Sequence, residues 1–200
     1  ALARHGGINA VYWNRRYEAG GIATDTAIKA MLKEHGVAVD SFNGNLLYEP
    51  WDVKTAAGTP MKVFTPFWRA ARARGEPSAP LPAPKKITGA EWPAVAKLKP
   101  LTLAQLKLEP AKPDWAKSFH ATWTRGETAA RARLADFLDE RMRGYADNRN
   151  RPDIEATSRL SPHLRFGEIS PRQIWHTTYA TVRDSGPSAP ANNKEKFLSE

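Results

Sequence analysis

The sequence predicts an α/β segment followed by an all-helical segment. Three observations carry this prediction. A strand, a helix and a second strand follow one another within residues 8–42, a stretch rich in proline interrupts regular structure from residue 76, and helical periodicity returns at Gly126. Because the connections in the first part are short, its two strands are expected to run parallel in one sheet.

The α/β segment is read from its apolar pattern. Residues 8–13 form a short run with β-branched and aromatic members, as in a buried strand, and residues 37–42 form a second such run. Between them, Thr24 and Asp25 are the expected start of a helix that ends at Gly36. Since two strands do not make a stable doubly wound sheet, further strands are expected before Ala1. The apolar stripe of this helix is Ala27, Ile28, Met31 and Leu32.

A basic stretch and a proline-rich stretch follow. Residues 61–75 are expected to be extended at Thr65 and Pro66 and then helical, with three arginines that either face solvent or bind phosphate. Eight of the sixteen prolines lie in residues 76–115, which predicts an extended connector. Its aromatic residues Trp92 and Trp115 are expected to pack against a domain. The three arginines are Arg69, Arg72 and Arg74.

The second half reads as helical. From Gly126 to Tyr145, apolar residues recur at steps of three and four, which predicts one amphipathic helix. Ser161 and Ser170 each precede a proline, so both are expected to be N-caps with proline at the first helical position. Gly167 is expected to end the shorter helix. The apolar positions of the long helix are Ala130, Leu134, Phe137, Leu138, Met142 and Tyr145.

Composition excludes several classes of protein. The apolar fraction of 41% is enough for a core, but no run of 18 apolar residues and no signal peptide is found, so a soluble cytoplasmic protein is expected. The chain has no cysteine, and its five histidines lack ligand spacing, so neither a metal site nor a thiolate nucleophile is expected. A net charge of +9 favours a polyanionic partner.

The stretch TSRLSP, residues 157–162, has two interpretations. Helix N-termini attract anions, and Thr157, Ser158, Arg159 and Ser161 add hydroxyl groups and a guanidinium that suit phosphate oxygens. The same residues also fit an ordinary helix cap. The residues alone leave both interpretations open.

A longer motif resolves this choice through resemblance. The pattern W…GE..A…L..FL…..Y…R..P…..TSRLSPHLRFGEISPRQIW, from Trp123 to Trp175, resembles the start of the flavin-binding domain of DNA photolyases and cryptochromes. KVFTPFWR, Lys62 to Arg69, is similar to the end of their antenna domain. The resemblance implies an α/β remnant of a Rossmann-like antenna domain (residues 1–75), a connector (76–125) and the start of an all-α FAD-binding domain (126–200).

The same resemblance implies site residues. Arg149 is expected to approach the DNA backbone, with Arg151 as the alternative, and Glu200 to hydrogen-bond the damaged pyrimidine pair. No residue is expected to act as a nucleophile or general base, and no metal is expected. The residues expected to contact FAD are Tyr145, Thr157, Ser158, Arg159, Leu160, Ser161 and Phe197.

The implied function is light-dependent DNA repair. The intact protein is expected to be a deoxyribodipyrimidine photo-lyase, a carbon–carbon lyase that splits cyclobutane pyrimidine dimers by electron transfer from photoexcited reduced FAD. It is expected to be a monomer with damaged DNA as its partner, and the 200-residue chain alone is expected to be inactive. The alternative is a cryptochrome photoreceptor used for signalling. The antenna chromophore stays open, and folate is not expected, because Gly20 and Gly21 stand where folate-binding relatives carry an Asn-Glu pair.

Overall fold

The computed structural model describes residues 7–89, 101–184 and 191–200. Its strands and helices are β1 (Ala10–Asn14), α1 (Ala19–Glu34), β2 (Ala38–Phe42), α2 (Phe64–Ala73), α3 (Phe119–Thr122), α4 (Glu127–Asp136), α5 (Tyr145–Asn148), α6 (Ser161–Arg165), α7 (Pro171–Asp184) and α8 (Ala191–Leu198). A π-helical turn (Phe137–Arg141) and a 3₁₀ turn (Met142–Gly144) lie between α4 and α5, and a second 3₁₀ turn spans Ala104–Leu106.

The chain forms two compact units. Unit 1 consists of Ala1–Gly44 and Ala83–Thr124, and unit 2 consists of Asn45–Pro82 and Arg125–Glu200. This grouping differs from the three expected segments, because α2 and the loop before it join the helical part of the chain. The boundaries at residues 75 and 125 therefore stay predictions about the domains of the intact protein.

Unit 1 contains a two-stranded parallel sheet. Strand β1 pairs with β2 in a register that places Ala10 opposite Ala38 and Asn14 opposite Phe42. Helix α1 connects the two strands, and the Nζ of Lys29 donates a hydrogen bond to the Oγ of Ser41 in β2 at 2.6 Å. The prediction of a parallel strand, helix and strand unit is confirmed.

The predicted start of α1 at Thr24 is wrong. The helix begins five residues earlier, at Ala19, and the hydroxyl of Thr24 donates back to the carbonyl of Gly20 at 2.9 Å. The Asp25 carboxylate accepts hydrogen bonds from the indole N–H of Trp13 and from Arg16, both at 3.1 Å. Neither Thr24 nor Asp25 is therefore a cap: Thr24 bonds within the helix, and Asp25 bonds residues that precede it.

The apolar stripe expected on α1 is not buried. No residue of this helix is buried among those described, and Met31 is 53% exposed. The predicted end is close to the observed one, since the helix finishes at Glu34 and Gly36 adopts a φ of +71°. A positive φ is the reason glycine suits this position.

The proline-rich connector has little regular structure where it is described. Residues 76–89 contain neither helix nor strand, and residues 101–118 contain one 3₁₀ turn. Trp115 is 64% exposed and meets Phe119 at a ring distance of 6.0 Å, so its predicted packing against a domain is wrong. Trp92 lies outside the described residues.

Unit 2 is built on one apolar core. The buried core positions include all six apolar residues that the helical periodicity identified between Gly126 and Tyr145. The single helix expected over that stretch is wrong, because α4 passes into a π-helical turn and a 3₁₀ turn before α5 begins. Periodicity thus predicted which side chains are buried, but not the backbone hydrogen bonds. The other core members are Leu160, Ile169 and Ile174.

One of the two predicted serine caps is confirmed. The backbone N–H of Gln173 donates to the Ser170 hydroxyl at 3.2 Å, and the N–H of Ser170 donates to the Gln173 side chain at 2.8 Å, which is a capping box. Ser161 is not an N-cap. It is the first residue of α6, Leu160 occupies the cap position, and no side chain caps this helix.

Helix α2 is tied to the helical core through Arg72. The helix starts at Phe64, so the expected extended conformation at Thr65 and Pro66 is wrong; proline is tolerated there because first-turn N–H groups need no intrahelical partner. The guanidinium of Arg72 lies 3.2 Å from the Tyr179 hydroxyl and 4.8 Å from the centre of the Trp175 ring. Arg72 therefore joins helices and is not a solvated surface charge.

Candidate functional site

Unit 2 contains a cavity of about 680 Å³ that is open to solvent. The loop after β2, α2, α5, the 157–161 turn, α7 and the end of α8 contribute to its walls. Of the residues that the family resemblance assigned to a ligand, all but Arg149 line this cavity. The assigned residues in the wall are Tyr145, Thr157, Ser158, Arg159, Leu160, Ser161, Phe197 and Glu200.

The 157–161 turn is held in an unusual backbone conformation. Arg159 has a φ of +52°, which a non-glycine residue adopts infrequently. Leu160 anchors the turn, because its side chain is 2% exposed and belongs to the core. Thr157 and Ser161 line the cavity, and their hydroxyls can each donate or accept a hydrogen bond.

The guanidinium of Arg159 is not isolated. Its Nη2 lies 2.9 Å from Oε1 of Glu155, and both side chains remain well exposed, at 40% and 63%. An ion pair this exposed contributes little stability. Arg159 can therefore exchange Glu155 for another anion at small cost to the fold.

Three aromatic rings support another part of the wall. Phe137 lies 5.5 Å from Tyr145 and 4.7 Å from Phe197, while Tyr145 and Phe197 are 5.4 Å apart, measured between ring centres. Phe137 is 1% exposed and supports the other two from inside the core. The two rings that line the cavity are thereby fixed against each other.

The Tyr145 hydroxyl stays protonated at ordinary pH. Burial raises its pKa, the Glu200 carboxylate raises the pKa further, and Arg149 lowers it. A neutral phenol can both donate and accept a hydrogen bond. Tyr145 thus offers a polar group in a wall that is otherwise aromatic.

Arg149 and Glu200 form an ion pair through Nη1 and Oε1. The family resemblance implied that they contact different parts of a DNA ligand. Arg149 is the more buried partner, with a side chain 20% exposed against 44% for Glu200. The Nζ of Lys196 lies 3.8 Å from the same carboxylate oxygen. The pair places a guanidinium next to the cavity although Arg149 does not line it.

Sequence reasoning missed the aromatic residues of α2 and α7. Phe67 and Trp68 line the cavity, although their motif KVFTPFWR had been assigned to the end of the α/β segment. Trp175 also lines it, with a ring 6.1 Å from that of Trp68. Its indole N–H is buried and has no hydrogen-bond partner among the described residues. Only the high aromatic content of these segments could have indicated these positions from the sequence.

The helix that follows the 157–161 turn is braced at its C-terminal end. Gly167 has a φ of +70°, its N–H donates to Leu164, and the N–H of Glu168 donates to His163, which confirms the predicted stop. The side chains of His163 and Glu168 are also hydrogen-bonded, at 2.6 Å, and this bond lowers the pKa of the Glu168 carboxyl. A hydrogen bond from the buried His163 side chain to Glu168 thus supports the short helix α6.

Membrane-spanning helices and metal-ligand clusters are both absent from the described residues. None of the helices within residues 7–89, 101–184 and 191–200 has the length and apolar character needed to cross a membrane. Over the same ranges, no three histidine, aspartate or glutamate side chains are grouped as ligands for a metal ion.

Comparison with known proteins identifies the family. The model of the DNA photolyase family matches residues 1–85. A deoxyribodipyrimidine photo-lyase from Agrobacterium fabrum is 49% identical over 178 residues, which cover 88% of this chain and 36% of the relative. Over most of its length the chain is similar to the DNA photolyase and cryptochrome family. It spans about a third of the length of that relative.

Two solved structures of photolyase and cryptochrome are also similar to this chain. A bacterial class III photolyase from Agrobacterium tumefaciens superposes with a TM-score of 0.88 at 43% identity, over 99% of this chain and 39% of that one. A Synechocystis cryptochrome superposes with a TM-score of 0.65 at 20% identity, which shows a shared fold alone. Cryptochrome-1 of Arabidopsis thaliana is 35% identical over 172 residues, 85% of this chain and 24% of the relative.

Proposed function

We propose that the intact protein is a deoxyribodipyrimidine photo-lyase that repairs cyclobutane pyrimidine dimers in DNA with light. The observation that carries this proposal is the cavity of unit 2, which gathers residues from positions 145 to 200 that the family resemblance assigned to flavin and lesion. The similarity to two bacterial proteins described as photolyases supports it.

The cavity fits FAD by its chemistry. Its volume of about 680 Å³ falls within the range of about 300–1,000 Å³ typical of small-molecule sites. Hydroxyls of the 157–161 turn and the Arg159 guanidinium suit a pyrophosphate, while Tyr145 and Phe197 suit an aromatic ring.

Each group in this proposal has a physical role. Reduced FAD, when bound and excited by light, supplies an electron to the damaged pyrimidine pair. The turn binds and orients the cofactor, and the apolar side chains of α2 and α7 exclude water from it. Glu200 accepts a hydrogen bond from the lesion, and Arg149 forms an ion pair with that carboxylate beside the cavity.

The antenna chromophore is not identified, but the structure bears on folate. A side chain at position 21 would place its Cβ 2.8 Å from the Cβ of Arg16, closer than real Cβ atoms approach. An Asn-Glu pair at positions 20 and 21 would therefore displace Arg16, which hydrogen-bonds Asp25. This supports the proposal that folate is not held in the manner of the relatives that carry that pair.

A cryptochrome is the second candidate. The observation in its favour is the 35% identity to cryptochrome-1 of Arabidopsis thaliana. Both candidates use the same cavity for FAD. They differ in whether light leads to repair of bound DNA.

Repair of a defined lesion tests the proposed function. The intact protein, loaded with reduced FAD, is expected to restore the two thymines of an oligonucleotide that carries one cyclobutane dimer, under blue light and not in the dark. The loss of the dimer is measured by chromatography of the oligonucleotide. Flavin binding without repair would support the cryptochrome alternative, and absence of flavin binding would overturn both.

Substitution of Arg149 tests the DNA contact. In the intact protein, Arg149→Ala is expected to weaken binding to all duplexes by a similar factor and to reduce the salt dependence by roughly one unit, because one phosphate contact is lost. Flavin content should stay unchanged. Arg151→Ala is the matched control, since Arg151 is exposed and pairs with Asp153. If only the control lowers the salt dependence, Arg151 is the phosphate contact.

A further inference from the structure

The backbone is interrupted immediately before Tyr145. A π-helical turn and a 3₁₀ turn separate α4 from α5, and Gly144, the last residue of the 3₁₀ turn, has φ and ψ of −112° and 10°. Continuation of the 3₁₀ pattern would bond the N–H of Ala146 directly to the carbonyl of Arg143. At this junction these two backbone groups instead hydrogen-bond to one side chain of a distant helix.

That side chain is the amide of Asn193 in α8. Its Oδ1 accepts a hydrogen bond from the N–H of Ala146 at 2.8 Å, and its Nδ2 donates to the carbonyl of Arg143 at 2.5 Å. Asn193 is 4% exposed. A carboxamide is suited to this position because it carries a donor and an acceptor side by side. Loss of the amide would leave two backbone groups without partners in a half-buried place.

Asn193 also lies one helical turn before Phe197, so both side chains project from the same face of α8. Phe197 meets Tyr145 at 5.4 Å and Phe137 at 4.7 Å. The junction that Asn193 bridges is continuous with Tyr145, the first residue of α5. One amide therefore fixes the distance between the two elements that present Tyr145 and Phe197 to the cavity.

We propose that Asn193 is a positioning residue of the flavin site, which sets the backbone of Tyr145 relative to Phe197 without touching the ligand. This proposal rests on the proposed function, since it assigns FAD to the cavity. Asn193 does not line that cavity. Its effect on binding is therefore indirect and separable from direct contact.

The test compares two buried substitutions in the intact protein. Asn193→Leu removes the amide but keeps a side chain of similar size, and Leu134→Ala is the control, because Leu134 is a buried core residue that does not line the cavity. Free energies of unfolding of the flavin-free protein and dissociation constants for FAD are measured for both. Asn193→Leu is expected to weaken FAD binding about tenfold, as two backbone hydrogen bonds are lost at the wall.

Leu134→Ala is expected to lower stability at least as much while its FAD affinity stays within about twofold of wild type, since no wall residue is displaced. Faster exchange of the Ala146 amide hydrogen in the Asn193 variant provides a readout that needs no flavin. If Asn193→Leu does not fold, Asn193→Ser carries the same expectation, because one short hydroxyl cannot replace both amide groups.

The outcomes separate the two proposals. Wild-type FAD affinity in the Asn193 variants, or an equal loss of affinity in Leu134→Ala, overturns the positioning role and leaves the proposed function standing. A wild-type protein that binds no FAD overturns the proposed function and with it the flavin role of Asn193. Unchanged exchange of the Ala146 amide shows that the side-chain bridge itself is absent.

Discussion

Phe137→Ala is expected to destabilise the intact protein by about 3–5 kcal/mol, because it empties a fully enclosed aromatic site. Phe137 is 1% exposed, and its ring contacts those of Tyr145 and Phe197, so the cavity left behind can close only by moving residues of the binding wall. Chemical denaturation of the flavin-free protein measures the effect. FAD binding should weaken as well, since the rings that line the cavity lose their support.

Phe166→Ala is the matched control for this prediction. It removes the same side chain from a position that is 80% exposed, so the free energy of unfolding should change by less than about 0.5 kcal/mol. Similar losses for Phe137→Ala and Phe166→Ala would contradict the assignment of the core. A large loss at position 137 with unchanged FAD affinity would show that the aromatic wall does not shape the site.

Arg159→Ala is expected to weaken the retention of FAD by the intact protein about ten- to a hundredfold, because a charge-assisted contact to the pyrophosphate is lost. The substitution should leave the free energy of unfolding nearly unchanged, since the pair with Glu155 is exposed. The FAD dissociation constant, from equilibrium dialysis followed by flavin fluorescence, measures the first effect, and thermal unfolding measures the second.

Glu155→Gln separates the two functions of Arg159. This substitution removes the carboxylate of the ion pair and keeps the Arg159 guanidinium. FAD affinity should therefore stay at the wild-type level or increase. If Arg159→Ala and Glu155→Gln weaken FAD binding alike, the ion pair rather than a phosphate contact is what matters. If neither does, only the hydroxyls and the backbone of the 157–161 turn remain as phosphate ligands.

Local features of the structure could be predicted from the sequence. Helical periodicity identified buried residues such as Leu134 and Tyr145 correctly, although the π and 3₁₀ turns between them change the number of residues per turn. Ser170 was predicted to be a cap because it precedes Pro171, and its hydrogen bond with Gln173 confirms the prediction. Ser161 resembled it in sequence, but the left-handed Arg159 shifts the cap to Leu160, and this conformation has no sequence signal.

The family motif also indicated most of the candidate site. Tyr145, the 157–161 turn and Phe197 had been named from their spacing relative to known photolyases, and the structure brings them to one cavity. Their roles toward FAD stay predictions. The ion pair of Arg149 with Glu200 was not foreseen, because the two had been assigned to separate ligand groups.

The sequence by itself determined which residues between Gly126 and Tyr145 face the core, which two strands pair and which motif marks the family. Tertiary structure decided what surrounds the cavity: Trp68 and Trp175, 107 positions apart, meet at 6.1 Å, and Asn193 completes the hydrogen bonds of Arg143 and Ala146. The physical reason is that periodicity and capping report interactions within one or two helical turns. A contact between distant segments depends on the packing of whole helices, and no local sequence pattern encodes which two segments meet.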